Sequence, residues 1–133
     1  MPQMTITLNR KDNTASEAHI RDHTVTMDRP TDKGGENQGP MGGETLLAAL
    51  GGCFMSNLVA AAQGRDIDLG PVDVAITATM GGNPAVFERI DMTVTGGPDV
   101  RDLDKLVTIA ERGCIASNTL KQGLPVNIKA QQG

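Results

Sequence analysis

The chain has 133 residues, of which 38% are hydrophobic and 21% charged, and its formal net charge is −4. This length suits a hydrophobic core of ordinary size, so we expect a single domain over residues 1–133. The acidic balance and an aromatic content of 2% disfavour nucleic-acid binding, which depends on basic grooves and stacking side chains. The polar start is unlike a signal peptide and no apolar run approaches the length of a membrane span, so we expect a cytoplasmic protein.

Alternating apolar and polar residues predict three strands at the start of the chain. Turn-forming residues separate them, which indicates hairpins. Residues 29–43 then hold two Pro and five Gly and predict a long loop. The predicted strands are Met4–Leu8, Ala15–Ile20 and His23–Asp28.

The rest of the chain alternates between helical and strand patterns. Apolar residues at helical spacing predict a long helix, a second helix ended by Gly113, and a short third one. A hairpin separates the first two helices, and a last strand follows the third, which gives an α+β fold in the order βββ-α-ββ-α-α-β. The predicted bounds are Glu44–Gly64 for the long helix, Val72–Thr79 and Val86–Thr95 for the hairpin, Cys114–Lys121 for the short helix and Pro125–Lys129 for the strand.

The long helix predicts how the chain assembles. Almost nothing along it is charged between Glu44 and Arg65, and a helix that is apolar nearly all round must be buried. A single subunit with one small sheet covers only part of such a helix. We therefore expect an obligate homodimer in which a partner subunit covers the rest.

Histidines and cysteines are the candidate metal ligands. His19 and His23 would lie about 13 Å apart on one extended strand, too far to share an ion. A turn at Arg21 and Asp22 would leave that geometry open. Cys53 and Cys114 are too few for a secreted disulfide framework, which leaves either inert packing or redox chemistry. We expect neither a metal nor a cofactor.

The sequence Gly51-Gly52-Cys53 stands in the middle of the long helix, where two glycines cost about 1 kcal/mol each relative to Ala. Either the glycines allow close packing, with Cys53 a small buried hydrophobe, or they leave room around a reactive thiol. Cys114 opens the short helix, where amide donors and the helix dipole favour a thiolate. The spacing of the two cysteines does not say whether their sulfurs meet.

The segments GGENQGPMGGETLLAALGGCF and CIASNTLKQGLPV resemble those of the OsmC/Ohr superfamily of osmotically inducible and organic-hydroperoxide-resistance proteins. The resemblance extends over essentially the whole chain, although Ile115 stands where the family has a proline. It implies an intertwined homodimer in which two sheets wrap the long helices, with two active sites at the subunit interface.

The resemblance also implies a reaction and residue roles. Cys53 would attack an organic hydroperoxide and become a sulfenic acid, and Cys114 would resolve it as an intrachain disulfide. An external dithiol of lipoyl-protein or thioredoxin type would then reduce the enzyme. An arginine from the first hairpin, Arg10 or else Arg21, would stabilise the thiolate. Glu44 would in turn hold this arginine in place. The plainer interpretations are a solvated turn charge for each arginine and a helix N-terminal carboxylate for Glu44.

A second hypothesis is a binding protein without catalysis. Seven methionines, among them Met41 and Met55 near Cys53 in sequence, would line an interface cleft that holds an apolar small molecule. Ordinary packing of the methionines in the core is the simpler interpretation. Thiol reactivity separates this hypothesis from the peroxidase.

Overall fold

The first three strands form an antiparallel sheet in the order β1-β2-β3. A computed structural model describes all residues, 1–133. The three predicted strands are confirmed, although the first begins later than the alternation indicates. Thr7 pairs with His19 and β2 ends at Ile20, so Met4 has no residue opposite to bond with. The bounds are β1 Thr7–Arg10, β2 Ser16–Ile20 and β3 His23–Met27.

A buried carboxylate organises the glycine-rich loop that follows β3. Asp28 is 5% exposed, and its side chain accepts the backbone N–H groups of Arg29 at 2.7 Å and of Glu36 and Gln38 at 3.2 Å each. Burial opposes ionisation, but these amide hydrogen bonds hold the pKa of Asp28 below its ordinary value. Gly35 is required here, since a Cβ would lie 2.0 Å from the carbonyl oxygen of Arg29.

The long predicted helix is confirmed as α1, Gly42–Gln63. Within the chain it is buried along one stripe only. It is also long and apolar enough to cross a membrane by length and composition, with a mean hydropathy of 1.7, so the expectation of no such run was wrong. The core helix of a soluble protein passes the same test. The buried residues of α1 are Leu50, Phe54, Leu58, Ala61 and Ala62.

The second half of the chain forms a hairpin and two further helices. Strands β4 and β5 pair antiparallel, with inward residues such as Val74 opposite Val94 and Ile76 opposite Met92. These side chains pack with the buried stripe of α1 and with Leu106 and Ala110 of α2 into one apolar core. The bounds are β4 Val72–Gly81, β5 Val86–Gly96, α2 Leu103–Gly113 and α3 Ile115–Gln122.

The last predicted strand is absent, and that part of the prediction was wrong. Residues 123–133 form no strand, and the apolar side chains of Val126 and Ile128 are 75% and 92% exposed. Alternation alone does not make a strand, because its N–H and C=O groups need a partner strand, which this chain does not provide.

The mixed α+β class with three helices is otherwise confirmed. The chain folds as two compact units, residues 1–48 and 49–133. The first contains the three-stranded sheet and the glycine-rich loop, and the second contains the β4–β5 hairpin, α2 and α3. A single domain over 1–133 stays a prediction.

Candidate active site

The fold brings the two cysteines of the second unit together. Cys53 lies half-buried in the middle of α1, and Cys114 is fully buried at the junction between α2 and α3. Both are free thiols. The two thiols lie close enough to shift each other's pKa. A contact between residues so distant in sequence arises from the packing of α1 against the α2–α3 junction.

The first turn of α3 supplies amide donors to this pair. Cys114 is the N-cap of α3, and its Sγ accepts the backbone N–H of Ser117 at 3.4 Å. The two amides before Ser117 belong to Ile115 and Ala116, at the first two positions of the helix, where no intrahelical acceptor exists. Both amides lie near the sulfur of Cys53 and lower its pKa.

These contacts shift the two thiols in opposite directions. The amide of Ala116, the thiol of Cys114 and the amide of Ile115 hold the pKa of Cys53 below its ordinary value, although burial opposes them. Burial raises the pKa of Cys114, and the neighbouring Cys53 raises it further. The expectation of a thiolate at Cys114 was therefore wrong, because burial and the neighbouring Cys53 outweigh the amides of Ser117 and Ala116, which lower the pKa of Cys114.

The two glycines before Cys53 have different surroundings. A Cβ on Gly51 would lie 2.8 Å from Cδ1 of Ile76, so this glycine lets α1 pack closely against β4. A Cβ on Gly52 would meet no atom within 4 Å. The close-packing interpretation therefore applies to Gly51. The surface of α1 at Gly52 is open instead.

An apolar cavity of about 260 Å³ lies between α1, β5, α2 and α3. Leu50 and Phe54, which lie close to Cys53 in sequence, belong to its wall. Ser117, whose amide contacts Cys114, lines it as well. Glu111 and Lys121 form an ion pair between α2 and α3 and complete the polar part of the wall.

The other predicted site residues lie in the first unit. Nη2 of Arg10 donates to the carbonyl oxygen of Asn13 at 3.0 Å within the first hairpin. Arg21 occupies the β2–β3 turn with φ of 53°. Glu44 accepts the backbone N–H of Met41 at 2.8 Å, which is the bond that a glutamate in the first helical turn makes to the cap residue. The roles that the resemblance implies for Arg10, Arg21 and Glu44 stay predictions.

The structure gives the histidines no metal partners. A turn does separate His19 on β2 from His23 on β3, and Nε2 of His19 lies 2.6 Å from Oδ1 of Asn9. No group of three His, Cys, Asp or Glu residues lies close enough together to hold a metal ion.

Several residues around the thiols escaped the sequence analysis. The amides of Ile115 and Ala116 and the side chain of Asn57 were not singled out. A helix beginning after Cys114 makes Cys114 its N-cap and Ser117 its third residue. The amides of the two residues between them then have no acceptor within the helix, which is the signal that could have pointed to them. Asn57 had a weaker signal, a polar residue one turn after Cys53 on an otherwise apolar helix face.

Comparisons with known proteins agree with this architecture. The family model described as OsmC-like protein matches residues 35–129. None of the curated proteins matches the chain.

Among solved structures, the OsmC-like protein from Mycoplasma pneumoniae is 18% identical, with 90% of this chain and 88% of that chain covered and a TM-score of 0.75. A hypothetical protein from Aquifex aeolicus is 13% identical, with 92% and 89% covered and a TM-score of 0.78. An organic hydroperoxide resistance protein OsmC from Legionella pneumophila is 19% identical, with 91% and 90% covered and a TM-score of 0.59. At these identities the likeness shows the fold, and together with the family model it leads to one conclusion: the chain belongs to the OsmC-like protein family.

Proposed function

We propose that this protein is a thiol-dependent peroxidase that reduces organic hydroperoxides to alcohols. The observation that carries the proposal is the pair of free thiols in contact, with the pKa of Cys53 lowered and the pKa of Cys114 raised. At neutral pH this arrangement favours a nucleophilic thiolate on Cys53 while Cys114 keeps its proton, which is the division of labour that a two-cysteine peroxidase needs.

In the first step the Cys53 thiolate attacks the terminal oxygen of the hydroperoxide. A sulfur–oxygen bond forms as the O–O bond breaks, and the alkoxide that leaves takes a proton from water to become the alcohol. Cys53 is then a sulfenic acid, oxidised by two electrons. The amides of Ile115 and Ala116 support this step because they hydrogen-bond to the sulfur that carries the negative charge.

In the second step the sulfur of Cys114 attacks the sulfenic sulfur of Cys53. A disulfide forms, and the proton of Cys114 leaves with the hydroxyl group as water. An external dithiol of lipoyl-protein or thioredoxin type then reduces the disulfide by exchange and returns both thiols. Such a cycle suits the reducing conditions of the cytoplasm, where we place the protein.

The apolar cavity supports an organic hydroperoxide as the substrate. Leu50 and Phe54 line it, and a space of about 260 Å³ with apolar walls favours an alkyl or aryl group over hydrogen peroxide. Arginine assistance from Arg10 or Arg21, with Glu44 as its partner, rests on the family resemblance alone. The helix α3 amides give Cys53 a stabilising contact of a different kind.

Replacement of Cys53 by serine tests the proposal. We expect wild-type protein to consume cumene hydroperoxide in the presence of a dithiol. The loss of the peroxide over time measures this activity. Cys53→Ser is expected to fall to the uncatalysed rate, because serine is not a thiolate nucleophile at neutral pH. Turnover that is unchanged in Cys53→Ser would overturn the proposal. Two thiols that neither titrate in the native protein nor form a disulfide with peroxide would favour the binding protein instead.

We also propose that the protein is an obligate homodimer. On α1 the exposed residues Gly52, Ser56 and Ala60 recur every four positions, and Val59 beside them is exposed as well. These residues form an uncharged helix face with small side chains, which lets a second helix approach closely. Only 28% of the most apolar window of α1 is buried within the chain, so much apolar surface is left for a partner subunit to cover.

Sedimentation velocity tests the assembly. We expect a species of twice the 13.9 kDa chain mass at micromolar concentration, because a helix this apolar is unstable in water without cover. Ala60→Glu is expected to weaken that species, since it places a charge within the uncharged face. A stable wild-type monomer of 13.9 kDa would contradict the proposal.

A further inference from the structure

We propose that Asn57 is a positioning residue that holds Cys114 in reach of Cys53 and thereby sets the rate at which the disulfide forms. The inference rests on the proposed function, since it concerns the resolving step of that reaction. Asn57 follows Cys53 by one helical turn, so both side chains leave the same face of α1. Its Nδ2 donates to the carbonyl oxygen of Ala110, in the last turn of α2, at 3.4 Å.

The carbonyl of Ala110 is available because α2 tightens at its end. In a continuing α-helix the N–H of Cys114 would bond to this oxygen. It bonds instead to the carbonyl of Glu111, at 3.2 Å, and the chain then turns into α3. The amide of Asn57 therefore takes the place of the missing backbone donor.

Asn57 also lies beside Gly113, the last residue of α2. A Cβ on Gly113 would lie 3.6 Å from Nδ2 of Asn57, so the side chain of Asn57 faces the turn into α3. On the far side, Nδ2 of Asn118 donates to the carbonyl of Arg112 at 3.1 Å, but that bond joins the turn only to α3. The bond from Asn57 joins it to the helix that carries Cys53.

This placement matters for one step of the reaction and not for the other. Attack on the hydroperoxide needs Cys53 and the substrate, whereas attack on the sulfenic acid needs the sulfur of Cys114 to reach that of Cys53. Orientation sets the rate of an intramolecular reaction of this kind. Loosening the end of α2 should thus slow disulfide formation and leave sulfenic acid formation as it is.

The test compares Asn57→Ala and Asn57→Leu with wild type. Asn57→Ala removes the amide without adding a charge near Cys53, and Asn57→Leu keeps the approximate volume of the side chain without polar atoms. We expect both to form sulfenic acid at the wild-type rate with cumene hydroperoxide, as trapped by dimedone. Disulfide formation is expected to slow by about fivefold to tenfold, the usual effect of losing one hydrogen bond.

Thr108→Ala serves as the matched control. Oγ1 of Thr108 donates to the carbonyl of Asp104 at 3.0 Å, so the variant also removes a side-chain bond to an α2 carbonyl, away from the thiols. It is expected to match wild type in both steps. Wild-type disulfide formation in both Asn57 variants would overturn the inference, and so would an equal slowing of both steps, which indicates general destabilisation.

A second readout does not depend on peroxide. The equilibrium between each protein and a dithiol–disulfide buffer of known potential measures how readily Cys53 and Cys114 pair. We expect the Asn57 variants to form the disulfide about fivefold less favourably than wild type and Thr108→Ala. An unchanged equilibrium would overturn the inference. If the wild-type protein forms the disulfide in this buffer but never reacts with hydroperoxide, the proposed function is wrong. The comparison of the equilibria still tests the role of Asn57 in that case.

Discussion

One equivalent of cumene hydroperoxide, added to Cys114→Ser without a reductant, is expected to leave a sulfenic acid on Cys53 and to stop there. The pKa of Cys53 is lowered by the amide of Ala116 and by its other partners, whereas burial raises that of Cys114, so Cys53 is the thiol that ionises more readily. Without Cys114 the chain has no second thiol to attack the sulfenic sulfur, because the protein has only two cysteines. Mass spectrometry of the intact protein and of peptides should find one added oxygen, on Cys53.

Wild type and Cys53→Ser are the two comparisons for that experiment. Wild type is expected to lose two hydrogens and join Cys53 to Cys114, because the second thiol resolves the first. Cys53→Ser is expected to stay unmodified, since burial raises the pKa of Cys114 and keeps it a thiol. Oxygen appearing first on Cys114 would reverse the two roles. No oxidation at either cysteine would contradict the proposed peroxidase.

The strands and helices could be predicted because their signals are local. Alternation along β4 and β5 and the helical spacing along α1 are visible in short windows of sequence. The prediction failed for Pro125–Lys129, where the pattern was present but a partner strand was not. Pairing is a property of two segments, and a pattern in one segment does not establish it.

The candidate site was only partly predictable for the same reason. Cys53 and Cys114 could be named from the resemblance, but their contact depends on α1 packing against the α2–α3 junction. The sequence did indicate a helix beginning at Cys114, and from that we expected a thiolate there. The direction was wrong because burial of Cys114 outweighs the helix amides that lower its pKa, and that burial depends on how α1 packs against the α2–α3 junction.

Ile115 shows what this rearrangement means for the chemistry. The resemblance to the family leads us to expect a proline at this position, and proline has no N–H. Ile115 has one, and its amide is among the groups that lower the pKa of Cys53. In this chain the residue at this position therefore supplies a hydrogen-bond donor to the Cys53 thiolate. The donor is the backbone N–H of Ile115 and not its side chain.

Ile115→Pro is accordingly expected to raise the pKa of Cys53 and to slow its reaction at low pH. Proline is well accommodated at the first helical position, and Cys114 before it has φ of −79° and ψ of 105°, an extended conformation that a following proline allows. Loss of a hydrogen bond to a charged sulfur should lower the rate of Cys53 oxidation about tenfold at pH values below the pKa of Cys53.

The pH dependence identifies the cause of that loss. Below the pKa of Cys53 the rate follows the thiolate fraction, which falls as the pKa rises, whereas well above the pKa both proteins are fully ionised. The difference between Ile115→Pro and wild type should therefore disappear at high pH in stopped-flow measurements of sulfenic acid formation. Ile115→Ala is the matched control, because it keeps the amide and removes a side chain that is 74% exposed, and it is expected to follow wild type at every pH. A tenfold loss that persists at high pH would show that proline had displaced the thiols, and the Ile115 amide would then have no part in holding the thiolate.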